Sequence, residues 1–169
     1  MTFTEEIKKL EDKPQLSWDE ISDKYIRYAR NSHGFLKDFE YKDYHCVIMR
    51  HSKYLTYCGY VGIEKNHKFY IPKRMYTHLI DDKCDVHGGI TYKQYPNTFC
   101  YPFFRDDLFY VGFDCNHSGD ICLRDLVEYP ERRNHYKEVF HDYTFKTRTY
   151  VVAHIKSLVN QLISLQNDL

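Results

Sequence analysis

Three stretches of the chain carry apolar residues at the spacing of an α-helix. The first covers residues 4–11 and stops before Pro14, and the second covers residues 18–31. The third starts at Thr149 and has the longest amphipathic stripe. Its apolar positions are Val151, Ile155, Leu158, Val159, Leu162 and Leu165. These patterns predict two N-terminal helices and a long closing helix that packs across a sheet.

The second helix carries a start signal and a stop signal. Ser17-Trp18-Asp19-Glu20 fits a capping box, in which Ser17 accepts from the backbone of Glu20 and Glu20 reaches back. Gly34 lies just beyond the last periodic residue and is free to take the left-handed conformation of a C-terminal cap. Both signals predict a helix over residues 18–31.

Segments rich in aromatic and β-branched residues lie between these helices, and they predict strands. The strand candidates are residues 41–50, 54–63, 86–93 and 108–113. Shorter helices are predicted over 74–80 and 121–128, and irregular segments over 94–107 and 130–146. The order of helices, strands and a final helix favours an α+β fold with a mostly antiparallel sheet. We expect residues 1–40 to form a helical extension and residues 41–169 to form a single α+β domain.

Composition narrows the class of protein. The formal net charge is zero, which argues against a protein that clamps long nucleic acid, because such proteins need a basic excess. No apolar run reaches the roughly 20 residues of a membrane span, and MTFTEEIKKLEDK lacks the apolar core of a signal peptide. We therefore expect a cytoplasmic protein without a membrane partner, whose six cysteines stay reduced.

Two polar clusters lie at the ends of strand candidates, and they carry the candidate chemistry. The first is DVHGGITY, with His87, Gly88, Gly89, Thr91 and Tyr92. The second is GFDCNHSGD, with Asp114, Cys115, His117 and Asp120. If strands 86–93 and 108–113 are neighbours, side chains from their ends can share one ligand, because adjacent strands lie about 4.8 Å apart.

Three chemical interpretations of these clusters compete. Two histidines and a carboxylate can cleave a phosphodiester by acid–base catalysis, which requires no metal. His87, His117, Asp114 and Asp120 also suit a divalent metal that activates water. Cys84, His87, Cys115 and His117 would form a structural zinc site, although their spacing matches known zinc modules poorly.

Purely structural roles also explain these residues. Asp114 would cap the turn after its strand, and Asp120 would cap the helix that follows. Cys115 is expected to be a small buried apolar group. The sequence alone weighs a functional site and a structural turn network about equally.

Five motifs in a fixed order resemble a family of small, largely uncharacterised bacteriophage proteins. They are Cys58-Gly59-Tyr60-Val61-Gly62, the turn at Asn66-His67-Lys68, Val86 to Tyr92, Gly112 to Asp120, and Thr149-Tyr150-Val151. The resemblance covers about residues 45–165, with Lys68 where the family has proline and Phe109-Tyr110 where it has a tryptophan pair. His67 and Tyr60 enter the expected ligand-binding set through this resemblance.

The resemblance implies a phage protein that resides in the host cytoplasm and counters host defence. By analogy with defences that signal through cyclic nucleotides, we expect it to cleave a nucleotide-type molecule by histidine-based phosphodiester chemistry. His87, His117, Asp114 and Asp120 would be catalytic, while Gly88, Gly89, Thr91, Tyr92, His67 and Tyr60 would bind the ligand. Two alternatives stay open: a protein that sequesters the nucleotide without cleaving it, and an inhibitor of a host protein. A divalent metal and an oligomeric state are compatible with the sequence.

Overall fold

A computed structural model describes residues 2–32, 34–73, 80–96, 98 and 102–168. The helices are α1 (Phe3–Glu11), α2 (Asp23–Asn31), α3 (Leu123–Glu128), α4 (Arg133–Val139) and α5 (Arg148–Asn167), and a 3-10 turn covers Pro130–Arg132. The strands are β1 (Gln15–Leu16), β2 (Leu36–Tyr41), β3 (Tyr44–Arg50), β4 (Tyr57–Ile63), β5 (Tyr92–Gln94), β6 (Phe109–Asp114) and β7 (Phe145–Lys146). Within the described residues, no helix is both long and apolar enough to cross a membrane.

The main sheet has five strands in the order β2-β3-β4-β6-β5, and β1 pairs with β7 in a second, two-stranded sheet. Strands β4 and β6 run antiparallel with Val61 opposite Val111, and β5 joins β6 with Tyr92 opposite Gly112. With α1 near the N-terminus and the 20-residue α5 near the C-terminus, the predicted α+β class with an antiparallel sheet is confirmed.

The predicted start of the second helix is wrong. Ser17 and Glu20 do make the side-chain contact of a capping box, but they enclose a turn in which the Glu20 N–H donates to the Ser17 carbonyl. Helix α2 begins at Asp23, where the Ser22 hydroxyl accepts from the Tyr25 amide. Trp18 is buried and donates from Nε1 to the Phe140 carbonyl at 2.7 Å. This long-range bond holds Trp18 in the turn, so local spacing alone misplaced the helix.

Several strand predictions also need correction. Strand β2 was not predicted, because LKDFEY is rich in charge and lies at the edge of the sheet, where one side faces solvent. Residues 86–91 form turns and extended chain, so β5 is three residues long. Residues 130–146 contain the 3-10 turn, α4 and β7, where an irregular segment was expected. Most of the helix predicted over 74–80 lies outside the described residues.

The chain divides into two compact units. The first comprises Met1–Phe35, Met49–Tyr57 and Cys115–Val151, and the second comprises Leu36–Ile48, Cys58–Asp114 and Val152–Leu169. The predicted boundary between residues 40 and 41 remains a prediction.

The first unit buries a charged network. The Arg50 side chain is fully buried, and its Nη2 lies 3.1 Å from Oε1 of Glu11. The hydroxyls of Tyr25 and Tyr57 donate to the same Glu11 oxygen at 2.7 and 3.0 Å, and the Arg148 amide donates to the other at 3.0 Å. Glu11 therefore links α1, α2, the end of β3, the start of β4 and the start of α5.

The second unit packs α5 against the main sheet at Gly59. A Cβ atom at this position would lie 2.7 Å from Ile155 and 2.8 Å from the ring of Phe113. Ile155, Leu158, Val159 and Leu162 of α5 are all fully buried. The predicted apolar stripe of the closing helix therefore covers the sheet, and a glycine on β4 permits the close approach.

Candidate functional site

His87 lies on a turn whose shape depends on glycine. Gly88 and Gly89 have φ angles of +68° and +81°, which L side chains rarely adopt, and the Gly89 amide donates to the Val86 carbonyl at 3.0 Å. A Cβ on Gly89 would meet nothing within 4 Å. Conformation, and not lack of space, is therefore what requires glycine at position 89.

The chain after this turn runs beside the end of β6. The Thr91 amide donates to the Gly112 carbonyl, and the Thr91 hydroxyl donates to Oδ2 of Asp114 at 3.0 Å. The segment that follows His87 thus lies beside the end of β6. The expected neighbourhood of the two predicted strands is confirmed, although the first strand is shorter than expected.

The second motif forms a tight turn around a buried carboxylate. Only 1% of the Asp120 side chain is exposed, and its Oδ2 accepts from the His117 amide at 3.0 Å and lies 3.7 Å from His117 Nδ1. Lys146 Nζ lies 3.5 Å from Oδ1 of the same carboxylate. Gly119 lies between His117 and Asp120, and its φ of +93° allows the tight turn. The Asp120 carboxylate therefore holds the His117 backbone in the turn and lies near the His117 ring at an ion-pair distance.

The structure contradicts one of the two structural alternatives for the aspartates, the helix cap at Asp120, while the turn cap at Asp114 stays a prediction. The residue at the N-terminal cap of α3 is Cys122, which makes no side-chain capping bond, so Asp120 does not cap that helix. Asp114 accepts from Thr91 across the sheet. Cys115 is buried, as expected of a packing residue.

Three side chains of the two motifs carry metal-binding atoms: His117 and Asp120 in the first unit, and His87 in the second. Both histidines are half-buried and the carboxylate is buried. Two imidazoles and a carboxylate form a ligand set of catalytic zinc and of other divalent metals, and three protein ligands leave a position for water or substrate.

The structural zinc interpretation fits the structure less well. Cys84 and Cys115 are both buried. Burial raises the pKa of the Cys84 thiol to about 11, and a thiol must lose its proton to bind zinc.

His67 and Tyr60 have contacts that explain their burial. The Phe69 amide donates to Nδ1 of His67 at 3.1 Å, so the proton on Nε2 faces the Leu162 carbonyl at 3.3 Å. Burial lowers the pKa of His67, which favours this neutral form. Tyr60 packs edge-on against Tyr92 at a centroid distance of 4.9 Å and lies across Gly112, where a Cβ would come within 2.4 Å of its ring. Their binding roles remain predictions.

Sequence reasoning missed two neighbours of the candidate residues. Lys146 approaches Asp120, and the His154 ring lies 6.1 Å from the His87 ring and 5.9 Å from Phe113. His154 lies on α5, beside the apolar stripe of that helix. Nothing in the sequence around it indicated a site. Burial, with smaller effects from Cys115 and Asp120, raises the pKa of Tyr150.

No protein-family model, no curated protein and no solved structure matches this chain. The resemblance to small bacteriophage proteins therefore stays a prediction. Any function for the chain has to be argued from the geometry of its residues.

Proposed function

We propose that this protein is a phosphodiesterase of phage counter-defence that cleaves a nucleotide-type signalling molecule, such as a cyclic nucleotide. The observation that carries the proposal is the turn in which the buried Asp120 carboxylate accepts from the His117 amide and lies 3.7 Å from the His117 ring. In the proposal, His87 supplies the second proton-transfer group. Phage origin and host defence enter only through the sequence resemblance.

The metal-free form of the reaction needs both histidines. One imidazole takes the proton of the attacking hydroxyl or water, whose oxygen bonds to phosphorus. The bond between phosphorus and the leaving oxygen then breaks, and the second imidazole gives that oxygen a proton. Asp120 supports this cycle because its bond to the His117 amide holds the turn that carries the imidazole.

The metal-dependent form uses the same three residues as ligands. A divalent ion held by His87, His117 and Asp120 would lower the pKa of a bound water and provide the nucleophile. Asp114 is the last residue of β6 and Thr91 just precedes β5, and both would then contact substrate or hold water.

Product analysis after incubation with cyclic mononucleotides and cyclic dinucleotides tests the proposal. We expect cleavage that falls roughly 100- to 10,000-fold in His87→Ala and in His117→Ala. His141→Ala is the matched control, because that histidine is exposed and belongs to neither motif. Loss of activity with EDTA, and recovery with zinc or manganese, would identify the metal-dependent form. Cleavage that both variants retain would refute the assigned roles.

One observation favours the sequestering alternative. The Asp120 carboxylate already accepts from the His117 amide and lies beside Lys146. These contacts also suit a rigid site that binds a nucleotide and does not cleave it. Recovery of intact nucleotide after heat release of a complex would support sequestration. A host-protein inhibitor would instead show neither cleavage nor a nucleotide-dependent rise in melting temperature.

A further inference from the structure

The first unit contains a cavity of about 540 Å³ that lies apart from both sequence motifs. Its walls come from the last turns of α2, from the turn between β3 and β4, and from α3. Its charged lining residues are Arg27, Arg30, Lys53, Arg124 and Glu128. We refer to it as the basic cavity, because four cationic side chains face a single carboxylate.

This concentration of positive charge is unusual in a chain whose formal net charge is zero. Glu128 accepts from Nε of Arg124 at 2.9 Å, so the one carboxylate of the lining is already engaged. Within the described residues, neither Arg27 nor Lys53 forms an ion pair with a carboxylate. Like charges held around one cavity repel each other unless an anion lies between them.

The dipole of helix α2 explains only part of the positive charge around the basic cavity. Arg30 lies in the last turn of α2, where a cation interacts favourably with the helix dipole. Lys53 and Arg124 lie outside that helix, and both stack on the ring of Tyr54, at 5.2 and 5.6 Å from its centroid. Stacking on one ring restricts both cationic heads before any ligand binds.

The donor types indicate the chemistry of the ligand. Guanidinium groups match phosphate oxygens in pairs of parallel hydrogen bonds, and the lining has three of them beside one ammonium group. Leu55 and Val127 supply an apolar part of the wall. The volume lies within the range of roughly 300–1,000 Å³ of small-molecule sites and exceeds the size of a single phosphate.

We propose that the basic cavity binds a small molecule with two or more phosphate groups, whose organic part rests on Leu55 and Val127. This site is independent of His87 and His117. It would serve as a second ligand site, whether or not the protein cleaves a phosphodiester.

Isothermal titration calorimetry with inorganic tripolyphosphate and with adenosine triphosphate tests the proposal. We expect both to bind in low salt, more weakly in high salt because ionic interactions are screened. Adenosine, which lacks phosphate, should bind far more weakly than the triphosphate. Arg27→Gln with Lys53→Gln should weaken triphosphate binding roughly 10- to 100-fold, the loss of one or two charge-assisted hydrogen bonds.

Lys8→Gln with Lys9→Gln is the matched control, because it removes the same charge from α1 in the same unit. Equal weakening in both double variants would overturn the proposal in favour of nonspecific charge attraction. Absence of tripolyphosphate and triphosphate binding to the unaltered protein would also overturn it. The His117→Ala variant should bind triphosphate normally, so failure of the catalytic proposal is separable from failure of this one.

Discussion

At the scale of single residues, glycines perform two different tasks in this chain. Gly88, Gly89 and Gly119 have positive φ angles, and they shape the turns that carry His87 and His117. Gly59 and Gly112 have no such angle, but a Cβ on either would collide with neighbouring atoms. The turns therefore need glycine for its conformation, and the strands need it for its lack of a side chain.

Paired alanine substitutions separate these two tasks. Gly89→Ala should lower the free energy of unfolding by about 1–2 kcal/mol, because only backbone strain opposes it. Gly112→Ala should cost about 3 kcal/mol, because its Cβ would lie 2.4 Å from Tyr60 and 2.6 Å from the Gly59 carbonyl oxygen. Urea denaturation of the two variants measures both costs. Equal losses would contradict this division of tasks.

At the scale of elements, periodicity located most helices but did not define their ends. The apolar spacing that predicted a helix over 18–31 spans a turn and α2, because the burial of Trp18 and Ile21 satisfies the same pattern without a helix. Strand β2 escaped prediction because an edge strand needs no apolar run. Burial patterns therefore identify which residues face the core more reliably than which element holds them.

Two serine substitutions test where α2 begins. Ser22→Ala should cost about 1 kcal/mol of unfolding free energy, because it removes the hydroxyl that accepts from the Tyr25 amide. Ser17→Ala should cost less than about 0.5 kcal/mol, because the bond between its hydroxyl and Glu20 is exposed and caps no helix. Thermal or urea denaturation gives both values. A larger loss in Ser17→Ala would restore the predicted capping box as the helix start.

At the scale of the whole molecule, the least expected feature is the buried ion pair of the first unit. Glu11 and Arg50 are 39 positions apart, and nothing in their local sequence marks either as a core residue. Two tyrosine hydroxyls and a backbone amide complete the coordination of the Glu11 carboxylate. Such a network is stabilising only while both charges are present.

Removal of one partner should therefore be more damaging than removal of both. Glu11→Leu alone should lower the free energy of unfolding by about 3–5 kcal/mol, because Arg50 is left as an unpaired buried charge. Glu11→Leu combined with Arg50→Met should cost clearly less than the sum of the single variants. A double-mutant cycle by urea denaturation measures the difference. Additive losses would show that the pair does not act as a unit.

The sequence by itself determined the fold class, the apolar face of α5, the strands β3, β4 and β6, and the two motifs that supply His87, His117 and Asp120. These features follow from local rules, since helical spacing, β-rich composition and glycine turns depend on residues close together in the chain. Only the tertiary structure decided that Lys146 lies beside Asp120, that Glu11 pairs with Arg50, and that α2 and α3 enclose a basic cavity. Each of these contacts joins residues that are far apart in the sequence. The path of the chain through the fold brings such residues together, and no local sequence pattern encodes the contact.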